Sequence, residues 1–179
     1  QLLAATHARL ARAWGVDIIA DMNDRFGGSV PDWPAFPDSA AALAALKRQF
    51  KLVILSNVDR ASFSASNKKL GVRFDAVYTA EDIGSYKPDE RNFRYLVEHV
   101  AADLKHDKAE ILHTAQSLYH DHVPAGKAGL ARCWINRRGE KGKGSGATKA
   151  VAKVPKIDFE FPTLEAMADA VAKEARAKG

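Results

Sequence analysis

The stretch Leu52-Val53-Ile54-Leu55-Ser56-Asn57 reads as a short β-rich run that ends in two polar residues, and its reading decides the fold. Apolar runs of this length, bounded by polar residues, are strands rather than helices. Working outward, the same alternation recurs along the chain. Strands are predicted at Lys51–Leu55, Asp75–Tyr78, Glu110–Ala115, Arg132–Asn136 and Ile157–Phe161. Helices are predicted at Ser39–Gln49, Arg60–Leu70, Asp89–Ala102, His122–Ala128 and Leu164–Ala177. Strands alternating with helices specify an α/β protein, a parallel sheet with helices on both faces. Local stop and start residues agree with this. Pro88 suits a first helical turn with Asp89 and Glu90 complementing its dipole, while Gly71 and Gly129 stand where C-terminal caps belong.

Upstream of this region, Gln1–Phe26 reads as one helix with an apolar stripe of Leu2, Leu3, Leu10, Trp14 and Ile18. The segment from Gly27 to Pro34 breaks the pattern and marks a boundary. Two units follow, residues 1–33 as an appendage and linker and residues 34–179 as the main α/β domain.

The 179 residues, 46% hydrophobic and 27% charged, are enough for one compact domain with a sizeable core. No run approaches the roughly 18 apolar residues of a membrane span, and no leader pattern opens the chain, so a cytoplasmic protein without membrane contact is expected. The single cysteine, Cys133, sits in an apolar run and is expected to be a buried thiol. The net charge of +5 arises late in the chain. Arg137, Arg138, Lys141, Lys143, Lys149, Lys153 and Lys156 cluster in and around a Gly/Ala/Lys-rich loop at about 138–156 that lacks the aromatics used for base stacking. It reads as a solvated loop, and no nucleic-acid partner is expected.

In open parallel sheets, functional groups collect beyond the carboxyl ends of strands. Ser56-Asn57, Lys87, and Ser117 with Asp121 all fall there. Taken singly, a hydroxyl or an Asp after a strand is a helix cap and a lone Lys is a solvated charge. Their order and placement together resemble the haloacid dehalogenase superfamily. Leu52–Asn57, Asp75–Pro88 and Ile111–Arg137 are similar to its 2-haloacid dehalogenase branch in particular.

That resemblance implies a three-layer Rossmann-like core over residues 34–179, with residues 1–33 as the end of a helical cap and its linker. It implies that Ser56 binds the substrate carboxylate and nucleophile, that the Asn57 amide receives the departing halide, and that Lys87 pairs with the catalytic carboxylate. Ser117 and Asp121 fall in the last motif, Asp121 supporting Lys87 and the hydrolytic water. The implied reaction opens a short 2-haloalkanoic acid to the 2-hydroxy acid through an aspartyl ester, a scheme that needs no metal and no cofactor. The partner is then a small anionic haloacid, and a homodimer is compatible with the branch. Superfamily phosphatases instead use Mg²⁺ held by hard carboxylate oxygens, and their additional carboxylate falls at Gln116, a neutral amide. The alternatives are a Mg²⁺-dependent phosphatase of the same fold, or a non-catalytic or truncated relative.

Two departures stand out. Phe93 takes a place where some dehalogenases of the branch carry a tyrosine. More consequentially, nothing before Ser56 matches the superfamily's first strand, which ends in Asp-x-x-x-Thr and supplies the nucleophile, since Asp17, Asp21 and Asp24 lie in a helical pattern. That strand belongs in mid-sheet, and each buried backbone group left unpaired costs about 1–3 kcal/mol against a total margin of roughly 5–15 kcal/mol. The expectation is that residues upstream of Gln1 carry it. The histidines His113, His120 and His122 lack the three- or four-residue spacing of a helical metal site and are expected to pack or hydrogen-bond near the site entrance.

Overall fold

The computed structural model describes residues 2–19, 21–139 and 149–178. It is an α/β fold whose strands are all parallel. Among the described residues they form two separate sheets, β1 (Val53–Ser56) with β2 (Ala76–Thr79), and β3 (Leu112–Ala115) with β4 (Ala131–Ile135) and β5 (Phe159–Phe161) in that order. Registers are regular, with Leu55 opposite Tyr78, Thr114 opposite Cys133 and Trp134 opposite Glu160. One edge of β1 and one edge of β3 therefore have no strand partner among the described residues.

Helices fill the connections: α3 (Ser39–Lys47) before β1, α4 (Arg60–Leu70) after it, the short α5 (Ala80–Ile83) and α6 (Glu90–His99) after β2, α7 (Val123–Lys127) after β3 and α8 (Leu164–Lys178) after β5. Two apolar clusters bind helices to strands. On one side Ala42 and Leu46 of α3 meet Met167 and Ala168 of α8 over Cys133 and Ile135 of β4, with Leu52 and Phe161 at the margin. On the other, Phe93, Leu96 and Val100 meet Tyr78, Ala125 and Leu130, with Val53, Leu55 and Ile111 packed against them. Phe93, Leu96 and Val100 recur at helical spacing, which gives α6 one apolar face. Because that cluster draws on β1, β2 and the approach to β3, α6 holds the two sheets together from one side. Cys133 is the buried thiol expected, with burial pushing its pKa up to about 11.

Predicted and observed elements differ in instructive places. Gln1–Phe26 is not one helix: α1 (Leu2–Trp14) stops at Gly15, and α2 (Met22–Gly27) folds back onto it. Gly15 has φ +65°, and the Val16 amide reaches the Ala11 carbonyl at 2.9 Å, the six-to-one closure of a helix end. Pro88 lies outside α6 rather than in its first turn, because Asp89 adopts the cap position and accepts from the Arg91 amide at 2.9 Å. Gly71 ends α4 in the left-handed region as expected, and Gly129 follows the α7 cap at φ +74°. Of the basic loop, Lys141 and Lys143 lie outside the described residues, while Lys149 rests 4.1 Å from the Tyr119 ring centre and Lys153 and Lys156 are exposed. Among the described residues no helix is long and apolar enough to cross a membrane.

Candidate active site

Lys87 comes from the turn between α5 and α6, and the turn is held on two sides. Gly84 takes φ +67° at the end of α5. Asn92, almost fully buried in α6, donates to the Ser85 hydroxyl at 3.1 Å and to the Asp89 carbonyl at 3.0 Å. From β1's side, Asn57 accepts from the Lys87 amide at 2.7 Å and donates to the Lys87 carbonyl at 3.0 Å. A backbone N–H only donates and a carbonyl only accepts, so the orientation of the Asn57 amide is settled by its partner.

So fixed, the Lys87 side chain runs inward. Its Nζ donates to the Leu55 carbonyl of β1 at 2.8 Å and to Asp121 Oδ1 at 2.6 Å, with both charged side chains about nine-tenths buried. Asp121 belongs to a single wide helical turn, Leu118–His122, just beyond β3. A third group joins them: His113, on β3, places Nε2 3.2 Å from the same Oδ1. Burial opposes the charge of Asp121, but the His113 bond and the Lys87 ammonium outweigh it and draw the carboxyl down to about 2. The result is a buried carboxylate ionised throughout the neutral range, with a lysine clamped to it.

The other sequence-predicted residues are placed differently. Ser117 caps the turn that carries Asp121, accepting from the His120 amide at 3.1 Å and pairing with His120 Nδ1 at 3.1 Å. Ser56 ends β1 opposite Thr79, and its hydroxyl makes no hydrogen bond among the described residues. The Asn57 side chain is engaged at both ends by the Lys87 backbone and keeps one N–H hydrogen unused among the described residues. Each of the three histidines is hydrogen-bonded, His113 to Asp121, His120 to Ser117 and His122 to the Ala115 carbonyl. His113 and His122 are buried and His120 is half-buried. His122 Nε2 is bonded to the Ala115 carbonyl at 2.9 Å, and burial lowers its pKa against the pull of that bond. Asp17, Asp21 and Asp24 are exposed in the N-terminal helical segment. Phe93 is buried, and its ring meets His113 edge-on at 5.2 Å.

Sequence reasoning missed His113 as a member of this site. The one available sign was its place on a strand immediately preceding the Ser117–Asp121 motif.

A family model, haloacid dehalogenase-like hydrolase, matches residues 9–113, more than half of the chain. The chain belongs to the haloacid dehalogenase-like hydrolases. It is 26% identical over 125 residues to the pyrimidine 5'-nucleotidase YjjG of Escherichia coli, covering 68% of this chain and 54% of that protein. The chain thus spans about half the length of the curated relative it matches. Among solved structures it superposes on the L-2-haloacid dehalogenase PA0810 with a TM-score of 0.74 at 24% identity, covering 95% of this chain and 70% of that one. It superposes on the L-2-haloacid dehalogenase of Xanthobacter autotrophicus with a TM-score of 0.77 at 19% identity, covering 94% of this chain and 74% of that one. At these identities the structural likeness defines the fold.

Proposed function

We propose that this hydrolase cleaves the carbon–halogen bond of short 2-haloalkanoic acids. The observation that carries the reading is the Lys87 ammonium, buried between the Leu55 carbonyl and Asp121 at the carboxyl ends of β1 and β3, with neutral Gln116 preceding Asp121 in the last motif. A buried ammonium favours the ionised form of a carboxylate beside it, which is what an attacking aspartate requires. That aspartate would arrive on a strand seated between the unpaired edges of β1 and β3. Its oxygen attacks the carbon bearing the halogen, and the carbon–halogen bond breaks with its electron pair leaving as halide. Water then adds to the ester carbonyl, releasing the 2-hydroxy acid and restoring the carboxylate.

A second reading, phosphate-ester hydrolysis with Mg²⁺, is favoured by the similarity to a nucleotidase. The residues present fit it less well. A hard cation prefers several carboxylate oxygens, and here the last motif offers a neutral amide at Gln116 while Asp121 already neutralises a lysine. The intact protein with chloroacetate or 2-chloropropionate and excess EDTA should release halide. Phosphate release from a pyrimidine nucleoside monophosphate, abolished by EDTA and restored by Mg²⁺, without halide release from either acid, would overturn the proposal.

A further inference from the structure

His113 is a buried polar side chain whose chemistry the reaction above does not use. Burying an imidazole is unfavourable unless it is hydrogen-bonded, and among the described residues its one side-chain hydrogen bond goes to Asp121 Oδ1. The carboxylate is ionised and therefore only accepts, so Nε2 carries the proton. Lys87 and His113 thus donate to one and the same oxygen from two different elements, the turn before α6 and the strand β3. The other oxygen, Oδ2, accepts no hydrogen bond from any described residue.

This division has a geometric consequence. Rotation about the terminal bond of an aspartate is soft, and one donor alone leaves the carboxylate plane loosely defined. Two donors converging on Oδ1 from separate directions define both where that oxygen sits and where Oδ2 must point. The imidazole is itself well fixed, packed edge-on against Phe93 and 6.1 Å from the ring of His122, which is tied to the Ala115 carbonyl. Rigid support of this kind is what holds a reacting group to within a fraction of an ångström.

We infer that His113 is a positioning residue that locks Asp121 through Oδ1 and so reserves Oδ2 for the reacting groups, the substrate ester or its hydrolytic water. This rests on the reading of Lys87 and Asp121 as the reactive centre. His113→Phe retains a ring against Phe93 but removes the donor, whereas His113→Gln places an N–H near the former Nε2.

In the intact protein, His113→Phe should lower kcat about tenfold or more with KM within about twofold, and His113→Gln should recover most of the loss. The Asp121 carboxyl carbon, followed by NMR, should titrate near 2 in the unmutated protein, visibly higher in His113→Phe, and near the original value in His113→Gln. Should the Phe variant not fold, long-range proton–nitrogen spectra of the unmutated protein decide the matter: a proton on Nε2 supports the inference, and an unprotonated Nε2 overturns it. A folded Phe variant with unchanged kcat and unchanged Asp121 titration also overturns it. Failure to release halide, with the titration and imidazole spectra as expected, would sink the dehalogenase reading but leave the His113–Asp121 lock standing.

Discussion

Asn57 grips Lys87 by its backbone, accepting from its amide at 2.7 Å and donating to its carbonyl at 3.0 Å, although the two are thirty positions apart in the chain. A residue at the end of β1 thereby sets where the lysine side chain begins its path to Asp121. Positioning Lys87 and receiving a halide make different demands, and substrates can distinguish the two. Asn57→Ala should lower turnover about tenfold or more, since a small misplacement of a reacting group is expensive in rate, and by a similar factor for chloro- and bromo-acids. A loss confined to the chloro-acid, whose leaving group needs more help, would assign Asn57 to the halide instead.

Lys87→Met keeps much of the stem's packing and removes the charge. Turnover should fall about 100-fold or more, because the attacking carboxylate loses the charge that favours its ionised form. Asp121 should titrate above its present value of about 2, having lost one of the two groups that hold it down. The variant should remain folded by circular dichroism. A folded variant with near-normal turnover would remove Lys87 from the reactive centre.

Asp38 offers a stability test away from the chemistry. Its Oδ2 accepts from Arg137 at 3.0 Å and from the Leu164 amide at 2.9 Å, joining the start of α3, the end of β4 and the start of α8. Burial works against the carboxylate's charge, but Arg137 and the α8 amides prevail and hold its pKa below the usual range. Asp38→Ala should cost about 3 kcal/mol, because it strands a largely buried guanidinium. A lowered folded-state pKa stabilises above the unfolded value near ~4 and ceases to do so as pH falls through the folded value. Melting temperatures of Asp38→Asn and the unmutated protein should therefore differ at pH 7 and converge well below pH 4. Parallel melting curves throughout would contradict this.

The sequence made much of this legible, and where it did not, the reasons are physical. The alternation of strand and helix and the Gly71 cap follow from local chemistry and chain order, while the support of Lys87 by Asp121 is implied by the family resemblance. The break at Gly15 did not show, because one glycine within a helical pattern is as often tolerated as obeyed. The hold of Asn57 on the Lys87 backbone did not show, because a residue type does not say which way its amide points. His113 was expected only to pack or hydrogen-bond near the site, because a histidine in a strand reads the same whether it fills space or orients a carboxylate. The Ser117 hydroxyl also caps the turn that carries Asp121, the commoner use of a serine after a strand.

The Leu55 carbonyl stands on one sheet, His113 on the other, and Lys87 with Asp121 spans the interval between them. Neither sheet contains the centre by itself. A nascent or partly opened chain in which either half is correctly formed, but the halves have not docked, holds its lysine in water at an ordinary surface potential and has no chemistry to offer. On the proposed reading reactivity is a property of the seam, so turnover should serve as a gauge of tertiary docking, falling before either half loses its own secondary structure.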